Sequence, residues 1–248
     1  NTREARIMRR MYRSVGRAAT GVSGKVVRGL EPSERDAAGN PVVPLLRLCT
    51  FPGLGYVCRM SSEPHLHFEK VHPLHVDFLR DESRKVGAAD SISFPTTEEE
   101  VRGIMAEANA RHLPVTFQGG RTGITAGAVP SGGHILNLNR MNRITGLRFD
   151  PVNDRFSVAV QPGVVLADLR AALEKQEFDT AGWMPPSLEA LNSLRSHLPV
   201  FFPPDPTEST ATIGGMMACN ASGARTFKYG PTRKYVESLR VVFADGST

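Results

Sequence analysis

Apolar and polar positions follow readable periods only from about Asp77 onward. Val101, Ile104, Met105 and Ala108 recur at helical spacing. Thr97-Glu98-Glu99-Glu100 precedes them with a capping-box signature, so a helix is predicted to about His112. Ser91-Ile92-Ser93-Phe94-Pro95 reads as a short strand stopped by proline. Pro114 to Gln118 and Ile135 to Leu138 read as strands bracketing a Gly-rich stretch at 119–133. Two more strands, Ile144 to Phe149 and Phe156 to Val160, flank the turn-forming Asp150-Pro151-Val152-Asn153-Asp154. Pro162-Gly163 breaks the chain; Val165, Leu166, Leu169, Ala172 and Leu173 then mark an amphipathic helix. A second helix is predicted around Ser187 to His197, and a strand from Val236 to Ala244. Asp245-Gly246 is a hairpin turn signal, so a returning strand is expected past Thr248 and the C-terminus is read as truncated.

Residues 1–74 lack such order and are read as an N-terminal extension, with 75–248 as the folded domain. The opening NTREARIMRRMYRSVGR is rich in Arg; a solvated basic helix is preferred over an organelle transit peptide. The apolar run Val42-Val43-Pro44-Leu45-Leu46 is partly extended in this reading. A hydrophobic fraction of 40% excludes wholesale disorder, and no apolar run is long enough to cross a bilayer. The net charge of +5 favours an anionic partner without separating nucleic acid from a phosphorylated cofactor. Cys49, Cys58 and Cys219 form no CxxC pair, which argues against a disulfide framework or zinc site and for a reducing, cytoplasmic setting.

Two glycine segments carry the chemistry. The first is Gln118-Gly119-Gly120-Arg121-Thr122-Gly123-Ile124-Thr125-Ala126-Gly127-Ala128-Val129-Pro130. Glycines tolerate positive φ and close approach, so successive N–H groups can converge on a phosphate, with the Thr122 hydroxyl as a further donor. No Lys is present for a Walker A loop, and no helix follows for a Rossmann turn. A strand–loop–strand nest fits a pyrophosphate; a flexible surface loop is the alternative. The second segment, Phe202 to Gly223, opens with prolines that hold extended backbone and closes with small residues around Gly214-Gly215. Those small residues leave room for a large ligand or serve tight helix packing.

With both segments in order, and with FPTTEEEV, VQPGV and VVFADG before, between and after them, the chain resembles the FAD-binding domain of the vanillyl-alcohol oxidase or p-cresol methylhydroxylase (PCMH) type. The glycolate oxidase subunit and D-lactate dehydrogenase branch is the most similar. The resemblance implies an α+β fold of two subdomains with FAD between them and no C-terminal cap domain. It places Gln118, Gly119, Gly120, Arg121, Thr122, Gly123 and Ile124 around the pyrophosphate. Pro204, Asp205, Thr207, Ser209, Ala211 and Thr212 would run beside the flavin and ribityl chain. Gly214, Gly215, Ala218, Asn220 and Gly223 would close around the ring or pyrophosphate, with Gly230 and Val242 further along. Some members carry a histidine in the first loop that bonds the flavin; Arg121 stands there, so non-covalent FAD is expected. The implied reaction is oxidation of a 2-hydroxy acid (D-lactate, glycolate or D-2-hydroxyglutarate type) by hydride transfer to flavin N5. Relatives take their catalytic residues from the cap domain, so no catalytic residue is assigned and the electron acceptor stays open. An ether-lipid synthase, a sugar-alcohol oxidase and a non-catalytic flavin-binding subunit share the same cofactor domain. Nucleic acid is disfavoured, because no aromatics interleave the glycines.

His65, His67, His72 and His75 have no regular metal-ligand spacing and are read as ordinary loop residues, with no metal assigned. Trp183 is read as packed in a loop, and Arg225, Lys228, Arg233 and Lys234 as a solvated basic face.

Overall fold

The computed structural model describes residues 68–248. The basic opening, the apolar run at 42–46, and His65 and His67 lie outside the described residues. The first sheet contains β1 (Glu69–Lys70), β2 (Ser91–Ser93), β3 (Val115–Gln118) and β4 (His134–Asn137), in the order β1-β2-β4-β3. β4 runs parallel to both β2 and β3, and β1 pairs antiparallel at the edge. All four β4 residues are buried, as expected of a central parallel strand covered on both faces.

The link from β2 to β3 is helix α1 (Glu98–Ala110). The predicted capping box is present: Thr97 Oγ1 accepts the Glu100 N–H at 3.2 Å, and the Glu100 carboxylate accepts the Thr97 N–H at 3.3 Å. Val101, Ile104 and Met105 pack with Leu136 and Met141, each contributing about 1.5–3 kcal/mol by burial. Because β2, β3 and β4 are parallel, their carboxyl ends share one edge, where open α/β sheets bind ligands.

The second sheet is the hairpin of β5 (Ile144–Asp150) and β6 (Arg155–Val160). The Asp150 carboxylate closes the turn, accepting from Val152 N–H at 3.0 Å and Asn153 Nδ2 at 2.7 Å. Helix α2 (Leu166–Lys175) and α4 (Ile213–Ala218) share one core through Leu166, Leu169, Ile213 and Met216. Helix α3 (Pro185–Ser196) packs Ala190, Leu191 and Leu194 against Leu147 of the hairpin and against Trp183. Trp183 is packed as expected, its indole N–H donating to Ile144 O at 2.9 Å. A four-residue helix α5 (Thr226–Tyr229) and a 3-10 turn (Thr232–Tyr235) follow. Among the described residues no helix is long and apolar enough to cross a membrane.

The predicted strand from Val236 to Ala244 does not form. The segment lies along the surface with no ladder partner among the described residues, held by side chains instead. Glu237 pairs with Arg148 at 2.5 Å, Arg240 with Glu98 at 2.6 Å, and Val242 packs against the α1 core. Leu239, Val241 and Phe243 are 60%, 47% and 56% exposed. A strand needs a neighbouring backbone, which propensity alone does not supply. The turn signal is correct: Gly246, at φ +80°, donates its N–H to Phe243 O at 3.0 Å.

His134 is the buried titratable group of β4, its Nδ1 at 2.9 Å from Ser91 Oγ and its Nε2 without a partner. Burial, then the Arg111 charge, pushes its pKa down to about 4. Above pH 6.5 the imidazole is neutral in both folded and unfolded chains and adds no pH dependence. As pH falls below that value, the unfolded state takes up the proton first, so stability drops until about pH 4. A loss of up to roughly 3 kcal/mol is expected across that window. Urea unfolding of the wild type and of His134→Gln at several pH values measures it; the variant should lack this part of the slope.

Candidate functional site

Gln118 ends β3 as a fully buried hub. Its Nε2 donates to Phe78 O and Ala128 O, each at 2.7 Å, while Asn137 Nδ2 donates to its Oε1 at 3.4 Å. The side chain therefore closes the loop that follows; it offers no spare polar group to a ligand. Asp81 braces the same loop, accepting the Ala128 N–H at 3.4 Å and the Ser83 N–H at 2.9 Å.

Positive φ within 118–130 falls on Arg121 (+56°) and Ala126 (+63°), not on the glycines there; Gly132 and Gly133, just before β4, have φ of +85° and +70°. What the first two glycines provide is close approach. A Cβ at Gly119 would stand 2.2 Å from Thr212 Oγ1, and one at Gly120 would stand 2.7 Å from Thr210 O. The two glycine segments thus meet in close contact, Gly119 against the Thr212 side chain and Gly120 against the Thr210 backbone. Gly123 faces open space instead. Among the described residues no protein acceptor is found for the N–H groups of residues 120–127. Thr122 is half-buried beside them, and Ile124 is exposed.

Arg121 is half-buried, with its guanidinium 4.6 Å from the Phe78 ring centroid and Nη1 buried without an acceptor. Burial lowers its pKa, Asp77 opposes that and Arg80 adds to it. Amides and a guanidinium nitrogen with no acceptor among the described residues, gathered in one loop, match an anion such as a diphosphate.

Thr212 belongs to both halves of the seam. It caps α4, its Oγ1 accepting the Gly215 N–H at 3.3 Å, and it bridges to Val165 at the start of α2. Ala211 O accepts the Leu166 N–H at 2.9 Å, and Ser209 O accepts the Ala167 N–H at 3.1 Å. Gly214 donates to Pro162 O at 2.9 Å, so the PG turn packs directly beneath α4. Thr207 and Ala218 are exposed.

Pro204 and Asp205 have other partners. Arg170 of α2 donates to Pro204 O at 2.8 Å and to the Asp205 carboxylate at 2.6 Å, and Arg225 lies 3.4 Å from the same carboxylate. Gly223 lies against the Asp205 carbonyl, and Asn220 Oδ1 accepts the Arg233 N–H at 3.1 Å. These contacts hold the proline segment in place and do not reach the first glycine loop. Arg225 is therefore paired, and Lys228 lies 5.1 Å from the Tyr229 ring centroid, so the basic face is only partly free. Gly230 packs against the Lys234 side chain. Arg170, Asp81 and Phe78 carry no sequence signal, because their partners lie roughly 35 to 47 residues away.

Residues 89–193 and 187–248 match the sequence profile of the family described as "FAD binding domain". A D-lactate dehydrogenase of Anaerostipes hadrus is 37% identical over 199 residues, covering 76% of this chain and 36% of that protein. A D-lactate dehydrogenase of Archaeoglobus fulgidus is 38% identical over 153 residues, covering 61% of this chain and 28% of that protein. The chain thus spans about a third of the length of these curated relatives. Among solved structures, a chitooligosaccharide oxidase aligns with a TM-score of 0.52 at 17% identity, over 73% of this chain and 34% of that one, which speaks to the fold alone.

The seam makes an unequal demand on two neighbouring glycines. Gly120→Ala should destabilise the chain by roughly 1–3 kcal/mol, because its methyl meets fixed backbone. Gly123→Ala should be neutral or stabilise by up to about 1 kcal/mol through the unfolded state. Denaturant melts of the two variants read the difference, and equal effects would mean the segments do not touch.

Proposed function

The chain belongs to the FAD binding domain family, and on that premise we propose that residues 75–248 hold FAD without a covalent bond and serve the oxidation of a 2-hydroxy acid. The observation carrying this reading is the contact of Gly119 and Gly120 with Thr210 to Thr212, which sets loop amides with no acceptor among the described residues beside the capped start of α4. Those amides and the Arg121 side chain would take the diphosphate, and Thr212, Gly214 and Gly215 would line its other flank. Bound there, the flavin supplies a two-electron acceptor for hydride from the α-carbon of the substrate. The chain's own residues position it: Gln118 locks the loop, while Arg170 and Arg225 fix the Pro204–Asp205 segment.

The substrate class rests on the relatives, which include D-lactate dehydrogenases, a glycolate oxidase subunit of Bacillus subtilis and D-2-hydroxyglutarate dehydrogenases. We place recognition of the hydroxy acid in the part of those proteins beyond the match, and assign no catalytic residue here.

Purified protein loaded with FAD, desalted and precipitated with acid should release one flavin per chain into the supernatant. Flavin left in the pellet would disprove the non-covalent link, and protein that retains none would remove the FAD reading altogether. The protein encoded by the whole gene, loaded in the same way, should lose its oxidised flavin absorbance under anaerobic D-lactate, glycolate or D-2-hydroxyglutarate. Full absorbance with all three would exclude this substrate class.

A further inference from the structure

Before the matched family region lies a cluster that the cofactor reading does not use. Glu69 on β1 and His72 and His75 on the following turn bring one ligand atom each to within 4.8 Å of the others. Glu69 Oε1 is 3.0 Å from His72 Nε2 and 3.7 Å from His75 Nε2. The sequence explains the convergence. Pro73 opens a 3-10 turn over Pro73–Leu79, and residues three apart eclipse one another at three residues per turn. His72 and His75 therefore stack, with ring centroids 4.0 Å apart, although their spacing looked irregular for a helix or a strand.

His75 is the informative member. Its side chain is only 10% exposed, yet among the described residues neither ring nitrogen is hydrogen-bonded: Nδ1 is buried without a partner, and Nε2 stands too far from Glu69. A buried imidazole with no partner carries a desolvation cost that a simple His72–Glu69 hydrogen bond leaves uncompensated. The three residues also line a cavity of about 560 Å³, with Phe78, Phe94, Asn139 and Arg140 on its other sides. Asn139 Oδ1, in that same wall, is likewise buried without a partner.

We propose that Glu69, His72 and His75 bind one divalent transition-metal ion of the zinc type, with its remaining coordination position open to this cavity. One carboxylate and two imidazoles are the borderline donor set such ions prefer. Tetrahedral bonds of about 2.0–2.1 Å put ligand atoms roughly 3.4 Å apart; the two Glu69 separations bracket that value, and the two histidine ligand atoms, within 4.8 Å of each other, close on the ion as it binds. Binding has a defined cost. His72 Nδ1 accepts the Leu74 N–H at 3.3 Å, so its neutral ring carries the proton on Nε2, facing Glu69. To coordinate through Nε2 the ring changes tautomer, placing its proton on Nδ1 and releasing that long bond from Leu74. This replaces the earlier expectation that these histidines are ordinary loop residues.

The test uses the untagged full chain, stripped with chelator and free of flavin, so that its outcome is independent of the FAD reading. Titration with Co²⁺, followed by its visible absorption, and with Zn²⁺, followed by calorimetry, should each give one ion per chain. Glu69→Gln and His72→Gln, both at half-exposed positions, should each weaken binding at least about 10-fold. The double variant His65→Gln, His67→Gln should bind as the wild type does, and far-UV circular dichroism should be the same for all four proteins. Absence of stoichiometric binding to the wild type would overturn the proposal. So would unchanged affinity in both single variants, or loss of binding in the His65, His67 pair.

Discussion

A close contact with no room for a methyl group joins the two halves of this domain. Gly119 and Gly120 leave the end of a parallel strand and meet Thr210 to Thr212. Thr212 extends the contact by capping α4 and bridging to the start of α2. Three elements far apart in sequence are thereby fixed at one point. Among the described residues the amides of the loop beyond have no protein acceptor, which leaves them open to water or to an anion. Rigidity on both sides is what makes such a cradle selective, because little ordering remains to be done when the ligand arrives.

Local chemistry was readable from sequence where a residue's partner lies within a few positions. The Thr97–Glu100 box, the apolar stripe of α1, the Asp150 turn and the Gly246 turn are all of that kind. The two glycine segments were also recognisable, and so was the order in which they occur. Their inner workings were not. The Gln118 side chain donates to the Phe78 carbonyl, 40 residues away, a bracing role that the sequence does not announce. Arg170 and Arg225 converge on the Asp205 carboxylate from two other elements, a pairing that no local pattern signals. The left-handed residues of the first loop are an arginine and an alanine, which no glycine count would indicate. In each case tertiary contact overrode local preference.

Gln118 and Asn137 form a buried wall at the carboxyl edge of the sheet, with the glycine loop following one and the His75 cavity lined by the other. Phe78 belongs to both sides. Its carbonyl holds Gln118, its ring lies under Arg121, and the same ring lines the cavity. Anything that shifts the Pro73–Leu79 turn therefore moves a residue that also supports the nest.

The surface run from Val236 to Phe243 lies outside any helix or strand and carries three exposed apolar side chains at alternate positions. Salt bridges fasten its ends and flank, but its peptide groups face no neighbouring strand among the described residues. An open, sticky border of this kind is a template for chain-to-chain zippering. Concentrated solutions of this polypeptide should accordingly first lose homogeneity along this border, with the cofactor cradle still intact.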